Sequence, residues 1–320
     1  MSVLIYIDRS EGHIKKSSLE AICYGAAVAK QMGTTAEGIV LGAVTDDLSA
    51  LGKYGVSKIH HAADASLEGM DAEVYARIVC EAATATGATI IVLSNNVNGK
   101  SIAPRISARL KAGLISGAIS LPDTSNGFVV KKGVFSGKAF AQIAVDTPIK
   151  VVAVTPNSYQ TVATEGTAVV ESLNSIAGSA RVKVTATNKI TGQVPLSEAE
   201  LVVSGGRGLK GPENWGMIED LAKLIGAGTA CSRAVADAHW RPHHEHVGQT
   251  GGSIAPNLYF AVGISGAIQH LAGVNRSKVI VVINKDPEAP FFKAADYGIV
   301  GDAFEVMPKI IDAVRKLKMA

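Results

Sequence analysis

The residues with the clearest capacity for chemistry lie between Val247 and Asn284, in the stretch VGQTGGSIAPNLYFAVGISGAIQHLAGVNRSKVIVVIN. Two turns of small and polar residues, QTGG and GISGAIQH, flank one apolar strand, and a second apolar strand follows. Glycines and short polar residues at strand ends let backbone N–H groups approach a phosphate or a flat ring closely. The stretch therefore predicts a site for a phosphate-bearing, planar ligand.

A second candidate is the turn GRGLKG at Gly206–Gly211, which follows the apolar strand LVVSG and matches the pattern G-x-G-x-x-G. A dinucleotide site also needs an acidic residue about 20 positions later, at the end of the next strand, to bind the ribose. Here that strand ends in Ser232 and Arg233, which disfavours an NAD site. With Arg207 and Lys210 ahead of a helix, the turn is either an anion-binding turn or a plain tight turn. Arg233 either pairs with a surface carboxylate or lies over a ligand that gains negative charge.

The remaining polar residues favour binding over catalysis. Ser265 is placed to cap a short helix that carries His270. The nearby Gln249 and Thr250 favour the interpretation that these residues together contact a ligand. The segment HWRPHHEH at 239–246 contains enough histidines for a metal site, but their spacing matches no usual site. Its proline also prevents the regular helix that would align the imidazoles. No nucleophile–base–acid order or carboxylate pair is recognisable. We predict no catalytic side chain and no metal ligand.

Composition limits the class of protein. The 320 residues include 31 basic and 28 acidic side chains, a balance that lacks the positive excess of nucleic-acid-binding proteins. The cysteines, Cys23, Cys80 and Cys231, form no paired motif and are expected to be buried thiols in a reducing compartment. The chain opens directly into an apolar strand without a basic leader, and no apolar run reaches the roughly 18 residues of a membrane span. We therefore expect a soluble protein without membrane insertion.

The first half alternates strands and helices, which predicts a parallel sheet with helices on both faces. The expected elements are a strand at Val3–Ile7, a helix to Gln31 begun by a capping box of Ser17 and Glu20, a strand at Gly38–Val44, a helix at Ala72–Thr86, a strand at Thr89–Ser94 and a helix around Pro104–Lys111. Short alternating runs between Gly113 and Val154 predict an antiparallel extension of this sheet. Thr155–Gly178 and Val182–Val194 are predicted to form a linker region.

A second strand–helix alternation begins at Ala199 and predicts a separate parallel sheet. Its expected elements are strands LVVSG, GTACSR, LYFAVGI, KVIVVIN and YGIVGD, with helices at Glu213–Ile225, Gly266–Ala272 and Met307–Leu317. The predicted fold class is α/β with two domains. Residues 1–195 form a nucleotide-binding-like α/β domain, and residues 196–320 form a Rossmann-like parallel-sheet domain.

The second domain resembles the C-terminal domain of the electron transfer flavoprotein alpha subunit from about Leu201 to the end. The segments that carry the resemblance occur in the same order: SGGRGLKGPENW, CSRAVADAHW, VGQTGG, and LYFAVGISGAIQHLAGVNRSKVIVVINKDPEAPFFKAADYGIVGD. The first domain resembles that family more loosely, through its strand–helix order and the segment NGKSIAPRISARL. Two departures, Ala238-His239 in place of a glycine-bearing turn and Val282 in place of alanine, remove no polar contact.

The resemblance implies that the second domain binds one FAD. The residues it assigns to the cofactor are Arg207, Ser232, Arg233, Val247, Gly248, Gln249, Thr250, Ser265, Gly266, Ala267, Ile268, Gln269, His270, Asn284 and Asp302. By this resemblance, Arg233 faces the flavin and stabilises its anionic reduced forms, and Thr250 hydrogen-bonds its N5 edge. His270 lies near a carbonyl of the pyrimidine ring, and Asn284 and Asp302 hold the adenosine end.

The resemblance also implies an electron carrier and not an enzyme: the α half of a heterodimer, docked to its β subunit through the first domain. That domain lacks a convincing phosphate loop after VLIYID. The expected role in electron transport is to pass electrons from flavin dehydrogenases, such as the acyl-CoA dehydrogenases of fatty acid β-oxidation, to a quinone oxidoreductase or another acceptor. The alternative is a subunit of a flavin-based bifurcating complex that oxidises NADH. We expect the bacterial cytoplasm, or the mitochondrial matrix if the source is eukaryotic.

Overall fold

The computed structural model describes residues 2–173, 180, 182, 184–186 and 195–319. It contains two compact units, one formed by Met1–Val134 and Ala139–Asn188 and the other by Phe135–Lys138 and Lys189–Ala320. The predicted domain boundary at residue 195 adjoins residues 187–194, which lie outside the described residues, so it stays a prediction. The predicted α/β class is confirmed, because one unit contains a mixed sheet with helices and the other a separate parallel sheet.

The first unit contains a nine-stranded mixed sheet. In chain order its elements are β1 (Ser2–Ile7), β2 (Arg9–Ser10), β3 (His13–Ile14), α1 (Lys16–Gln31), β4 (Thr35–Leu41), β5 (Lys58–Ala62), α2 (Ala72–Ala85), β6 (Ala88–Ser94), α3 (Val97–Leu110), β7 (Gly113–Ala118), β8 (Val129–Val134), β9 (Ala139–Ala144), β10 (Lys150–Val154) and β11 (Val169–Ser172). The strand order is β11-β5-β4-β1-β6-β10-β7-β8-β9, and β2 pairs only with β3. The strands are parallel except along β7-β8-β9, which confirms the predicted antiparallel extension.

The central strands of this sheet are apolar on both faces because helices cover both sides. Along β1, Val3 and Ile5 pack in one core cluster together with residues of α1. Leu4 and Tyr6 pack in a second cluster with residues of α2 and α3. The continuous apolar run VLIYI therefore divides between two layers, with alternate side chains pointing to opposite faces.

The structure departs from the sequence prediction at several places in this unit. The capping box does not form, because the residue before α1 makes no side-chain cap and the Glu20 carboxylate accepts the Asn157 N–H at 2.7 Å. Helix α3 starts well before Pro104, at a cap where the Asn96 side chain accepts the Gly99 N–H at 2.9 Å. Strand β5 was not predicted. The first part of the predicted linker includes β11, which pairs with β5; residues 174–179, 181, 183 and 187–194 of that linker lie outside the described residues.

The second unit is built on a five-stranded sheet in the order β13-β12-β14-β15-β16, and every pairing is parallel. In chain order its elements are β12 (Leu201–Gly205), α4 (Gly216–Ile225), β13 (Gly228–Cys231), α5 (Arg233–Asp237), β14 (Leu258–Val262), α6 (Ile268–Val274), β15 (Val279–Asn284), β16 (Tyr297–Val300) and α7 (Ala303–Met319), with 3-10 turns at Arg207–Leu209, Pro212–Asn214, His243–Glu245 and Pro290–Ala294. The predicted Rossmann-like parallel sheet is therefore confirmed.

The two faces of this sheet are covered differently. On one face the core includes buried side chains of α4 and α7, such as Leu221 and Met307. On the other face the cover includes Val247 and Ile254, from the segment between α5 and β14, and Phe291 from a 3-10 turn. Three predicted helix starts were wrong here. A 3-10 turn precedes α4, and α6 begins at Ile268 without a side-chain cap, so Ser265 is not its cap. Helix α7 begins at Ala303 and not at Met307, because the Asp302 carboxylate accepts the Phe304 N–H and caps the first turn.

Candidate functional site

The candidate site lies where the five parallel strands of the second unit end. Parallel α/β sheets bind ligands at this carboxyl edge, because all the loops that follow the strands leave from it. Backbone hydrogen bonds tie these loops together: the Ser232 N–H donates to the Gly205 carbonyl at 3.1 Å, and the Gly301 N–H donates to the Asn284 carbonyl at 3.0 Å. In strand order, the predicted site residues that leave this edge are Ser232, Arg207, Ser265, Asn284 and Asp302.

A cavity of about 550 Å³ opens at this edge. All but three of the residues predicted to bind the cofactor line it: Arg207, Ser232, Arg233, Val247, Gly248, Gln249, Thr250, Ser265, Ala267, Gln269, His270 and Asn284. The wall also contains residues that sequence reasoning missed: Gly208, Ala234, Asp237, His246, Gly263, Ile264 and Asp286. The structure thus brings together side chains from the loops after β12, β13, β14 and β15.

Three predicted residues do not line the cavity. Gly266 packs under Phe291, where an added Cβ would lie 2.4 Å from the Phe291 Cβ. The side chain of Ile268 is exposed at the start of α6. The Asp302 carboxylate accepts the Phe304 N–H at 3.0 Å and lies 4.0 Å from the Lys210 ammonium. Asp302 thus caps α7 at the end of β16, the strand next to the one that ends in Asn284.

Two close approaches between glycines shape the wall. Gly208 donates its N–H to the Gly263 carbonyl at 3.0 Å, and a Cβ on Gly208 would lie 2.7 Å from the Gly263 Cα. A Cβ on Gly273, in α6, would lie 2.5 Å from the Gly248 Cα. Only residues without side chains allow these backbones to meet. The first contact joins the loops after β12 and β14, and the second presses the segment Val247–Thr250 onto α6.

Two guanidinium groups stand in the wall. Arg233 pairs with Asp237 at 3.3 Å, but both side chains are mostly exposed (65% and 60%), and such pairs contribute little to stability. Arg207 is exposed and forms no ion pair with any described residue. Both cations therefore remain available to a ligand that carries or gains negative charge.

Two buried histidines also reach the wall. The Nε2 of His270 lies 2.8 Å from the hydroxyl of Tyr259, which is fully buried. Burial, and secondarily the neighbouring His246, lower the pKa of His270 to about 4, so its imidazole is neutral at pH 7. Burial, with a smaller effect of His243, also lowers the pKa of His246 below its usual value. The cavity thus has neutral imidazoles beside exposed guanidinium cations.

A buried salt bridge organises the histidine-rich segment. Glu245 is 1% exposed, and Arg241 donates to both of its carboxylate oxygens, at 2.9 and 2.7 Å. Arg241 also donates to Glu219 at 2.8 Å and lies 5.5 Å from the ring centre of Trp215. Across the described ranges, no group of three or more histidine, cysteine, aspartate or glutamate side chains is arranged to hold a metal ion. The four-residue spacing of Arg241 and Glu245 was the signal that sequence reasoning overlooked.

The unit that contains this cavity is similar in sequence to known proteins, and so is the first unit. Residues 3–177 match the family model described as electron transfer flavoprotein domain, and residues 195–275 match the electron transfer flavoprotein FAD-binding domain. The chain is 34% identical to the electron transfer flavoprotein subunit alpha of Bacillus subtilis, over 99% of this chain and 98% of that one. It is 35% identical to the subunit alpha of Pseudomonas aeruginosa (98% and 100%) and 32% identical to Protein FixB of Clostridium saccharobutylicum (98% and 96%). The chain therefore belongs to the electron transfer flavoprotein alpha subunit family, and its second unit is an FAD-binding domain.

Proposed function

We propose that this chain is the α subunit of a heterodimeric electron carrier and holds its FAD in the cavity at the carboxyl edge of the second sheet. Family membership supports electron transport and the cofactor. The observation that carries the placement is the single cavity wall that collects nearly all the predicted contact residues from four separate loops. A site that gathers residues so distant in sequence is better explained by one extended ligand than by loop packing alone.

The chemistry of the wall fits FAD. A dinucleotide with a planar ring needs apolar surface, hydrogen-bond donors along the ring edges, and donors or cations for its phosphates. Val247 and Ile264 provide buried apolar surface, while Ser232 and Thr250 provide hydroxyl groups. The buried Nδ1 of His270 has no hydrogen-bond partner among the described residues, which leaves a polar atom for a ligand to satisfy.

FAD, when bound, supplies the redox chemistry by accepting and releasing electrons. The residues of this chain set how favourable that acceptance is. Arg233 and Arg207 place fixed positive charge in the wall, which stabilises a ligand that becomes more negative and so raises its affinity for electrons. The weak pairing of Arg233 with Asp237 lets the guanidinium turn to the ligand at little cost. The apolar residues exclude water and strengthen these interactions.

We place the adenosine end of the cofactor along the sheet edge towards β16. Asn284 lines the cavity at the end of β15, and its Nδ2 donates to the Ile264 carbonyl at 3.0 Å. Asp302 follows the neighbouring strand, outside the cavity. A ligand longer than the cavity, running across the strand ends, would reach Asp302 last. This order supports Asp302 as a ribose ligand.

We propose that the first unit docks the β subunit and binds no nucleotide of its own. Its switch point, between β1 and β6, is where such sheets usually bind a ligand. Here the buried Asp8 carboxylate pairs with Lys15 at 3.1 Å and accepts from Asn96 at 2.9 Å and Asn98 at 3.0 Å. Side chains of the protein itself therefore fill the position that a nucleotide would need.

The proposed donors are flavin dehydrogenases of the acyl-CoA dehydrogenase type, and the proposed acceptor is a quinone oxidoreductase. The relatives named above are bacterial, which supports the bacterial cytoplasm as the compartment. Among the described residues, no helix is both long and apolar enough to cross a bilayer.

The test is to co-express the full chain with its β subunit, purify the complex and measure bound flavin by its visible spectrum. We expect one FAD per complex and anaerobic reduction by an acyl-CoA dehydrogenase with its substrate. A complex that is colourless and stays so after incubation with FAD would contradict the proposal. Two FAD per complex together with reduction by NADH would replace the carrier role with the bifurcating one.

Variants locate the cofactor within the complex. Asp302→Asn should weaken FAD binding about 10-fold, the effect of losing a charged hydrogen bond of roughly 1.5 kcal/mol. Asp312→Asn is the matched control, because Asp312 lies on α7 and its one ion pair among the described residues is an exposed pair with Arg315 at 3.4 Å. Equal FAD affinity in the two variants would remove Asp302 from the site and leave the cavity placement intact.

A further inference from the structure

A buried histidine in the cavity wall, His246, is not among the residues that the family resemblance assigns to FAD. It is 3% exposed and follows the 3-10 turn His243–Glu245, immediately before the cofactor-facing segment that starts at Val247. Its Nδ1 is buried and, within the described part of the chain, has no hydrogen-bond partner. Buried polar atoms are nearly always paired in proteins, so an unpaired one beside a ligand cavity indicates a group with a role there.

The backbone on both sides of His246 holds its ring in place. The His246 N–H donates to the His243 carbonyl at 3.1 Å, and its own carbonyl accepts the Gly252 N–H at 2.8 Å. The ring packs against Gly251, where an added Cβ would lie 2.8 Å from the His246 Cγ. The imidazole is therefore a fixed part of the wall and does not swing away to solvent.

Charged and titratable groups from every neighbouring element surround this imidazole. They are Arg233 and Asp237 of α5, His243 and Glu245 of the 3-10 turn with Arg241 bound to Glu245, Cys231 of β13, and His270 of α6. Burial is the largest influence and lowers the pKa of His246, and the charges of His243 and Arg233 act in the same direction. Asp237 opposes them. His246 is therefore neutral at pH 7. One added negative charge in the cavity would shift its protonation equilibrium towards the charged imidazolium.

We propose that His246 is the proton-accepting residue of this site, taking up one proton as electrons enter the cavity. The inference rests on the proposed placement of FAD there. The donor flavoprotein is oxidised and the bound cofactor is reduced, while one solvent proton binds the free ring nitrogen of His246. When the electrons leave to the acceptor, that proton returns to solvent. The protonated imidazole then compensates part of the negative charge that the cavity has gained.

His246 is better suited to this role than the other histidine of the wall. The Nε2 of His270 is already engaged with the Tyr259 hydroxyl at 2.8 Å, and that ring is buried between Tyr259 and Phe291. The low pKa of His270, about 4, requires a larger shift before it binds a proton near neutral pH. The buried Nδ1 atoms of both histidines lack a hydrogen-bond partner among the described residues. What distinguishes His246 is the neighbouring Asp237, which favours its charged form, whereas the charged neighbour of His270 is His246 itself, which disfavours it.

The test compares the midpoint potential of bound FAD from pH 5.5 to 8.5 in complexes that contain wild-type chain, His246→Gln or His239→Asn. Gln preserves hydrogen bonding without titrating near neutral pH. His239 is the matched control, because it is an exposed histidine of the same segment that does not line the cavity, and Asn tolerates its left-handed backbone (φ 57°). The wild-type potential should exceed that of His246→Gln at pH 5.5 and coincide with it at pH 8.5. A shift of one unit in the pKa of His246 corresponds to about 59 mV per electron.

The outcomes separate the two proposals. If His246→Gln retains FAD and its potentials follow those of His239→Asn at every pH, the role of His246 is wrong while the FAD site stands. If the wild-type complex binds no FAD, the site itself is wrong and this inference is overturned with it. If His246→Gln does not fold, imidazole NMR of the wild-type complex carries the test. A buried histidine that is still present in His270→Gln must then titrate at higher pH in the reduced complex than in the oxidised one, and identical titrations would refute the role.

Discussion

The salt bridge between Arg241 and Glu245 gives the sharpest test of how the second unit holds its cavity. Glu245 is 1% exposed and Arg241 is its bidentate partner. The change Arg241→Met keeps an unbranched apolar stem but removes the guanidinium, and it leaves the carboxylate buried and uncompensated. Breaking such a pair from one side costs about 3 to 5 kcal/mol of unfolding free energy. Loss of the contacts of Arg241 with the exposed Glu219 and with Trp215 adds about 1 kcal/mol.

The complementary change, Glu245→Gln, removes the buried charge and keeps a hydrogen-bonding side chain of the same shape. Its expected cost is smaller, about 1.5 to 3 kcal/mol, because Arg241 keeps Glu219 and is itself 17% exposed to solvent. In the double variant the buried carboxylate is gone, so removing Arg241 adds little. We therefore expect a coupling free energy of about 2 kcal/mol or more between the two changes.

The assay is urea unfolding followed by tryptophan fluorescence. The chain has two tryptophans, Trp215 and Trp240, and both belong to the second unit, so the signal reports on that unit. With a slope of about 1.5 kcal/mol per molar urea, Arg241→Met should lower the midpoint by roughly 2 M or more. The exposed pair of Asp312 and Arg315 provides the control, and its removal should change stability by less than about 0.5 kcal/mol.

Two results would refute this reasoning. Additive costs in the double variant would mean that the pair is not coupled and that Glu245 is stabilised by other groups. An Arg241→Met protein as stable as the control variants would mean that the Glu245 carboxylate becomes hydrated without any loss of unfolding free energy. If FAD occupies the cavity as proposed, its affinity should follow stability, because Glu245 lies two residues before Val247, which lines the cavity.

Three further predictions concern single groups. Folding lowers the pKa of His270 to about 4, so between pH 6.5 and 4 the unfolded state binds a proton that the folded state does not, and the free energy of unfolding should fall by up to about 3 kcal/mol as the pH drops through that window. The urea midpoint of His270→Gln should lack this loss, and wild-type and variant midpoints that change in parallel with pH would contradict the prediction. Gly208→Ala should destabilise the unit by about 1 to 3 kcal/mol, because the added Cβ would lie 2.7 Å from the Gly263 Cα. Gly216→Ala is the control and should leave stability unchanged, because its Cβ would meet nothing within 4 Å. The thermal unfolding midpoints of the two variants test this difference. Cys231 is fully buried and burial raises the pKa of its thiol to about 12, so it should resist disulfide reagents until the unit unfolds, and rapid labelling of the native protein would contradict its burial.

Much of the fold was predictable from sequence because its strands are continuous apolar runs. The run VLIYI became β1, TIIVLS lies within β6, and LYFAV became β14. These strands are mostly apolar because both faces of their sheets are covered. Helix starts were less predictable. The pattern Ser17–Glu20 has the form of a capping box, but the Glu20 carboxylate is used 137 residues away, at the Asn157 N–H. A local pattern does not reveal that competing partner.

The sequence by itself determined the types of residue at the strand ends of the second unit, and with them the prediction of a site for a phosphate-bearing, planar ligand. This was possible because the glycines and short polar residues follow each strand within a few positions, and a residue so close to a strand in sequence must also lie close to the end of that strand in space. Only the tertiary structure decided that His246 and Asp237 share the wall, that Asp302 lies beyond it, and that Gly208 meets Gly263. These relations join loops that follow different strands, so they depend on the order β13-β12-β14-β15-β16, which no local pattern encodes.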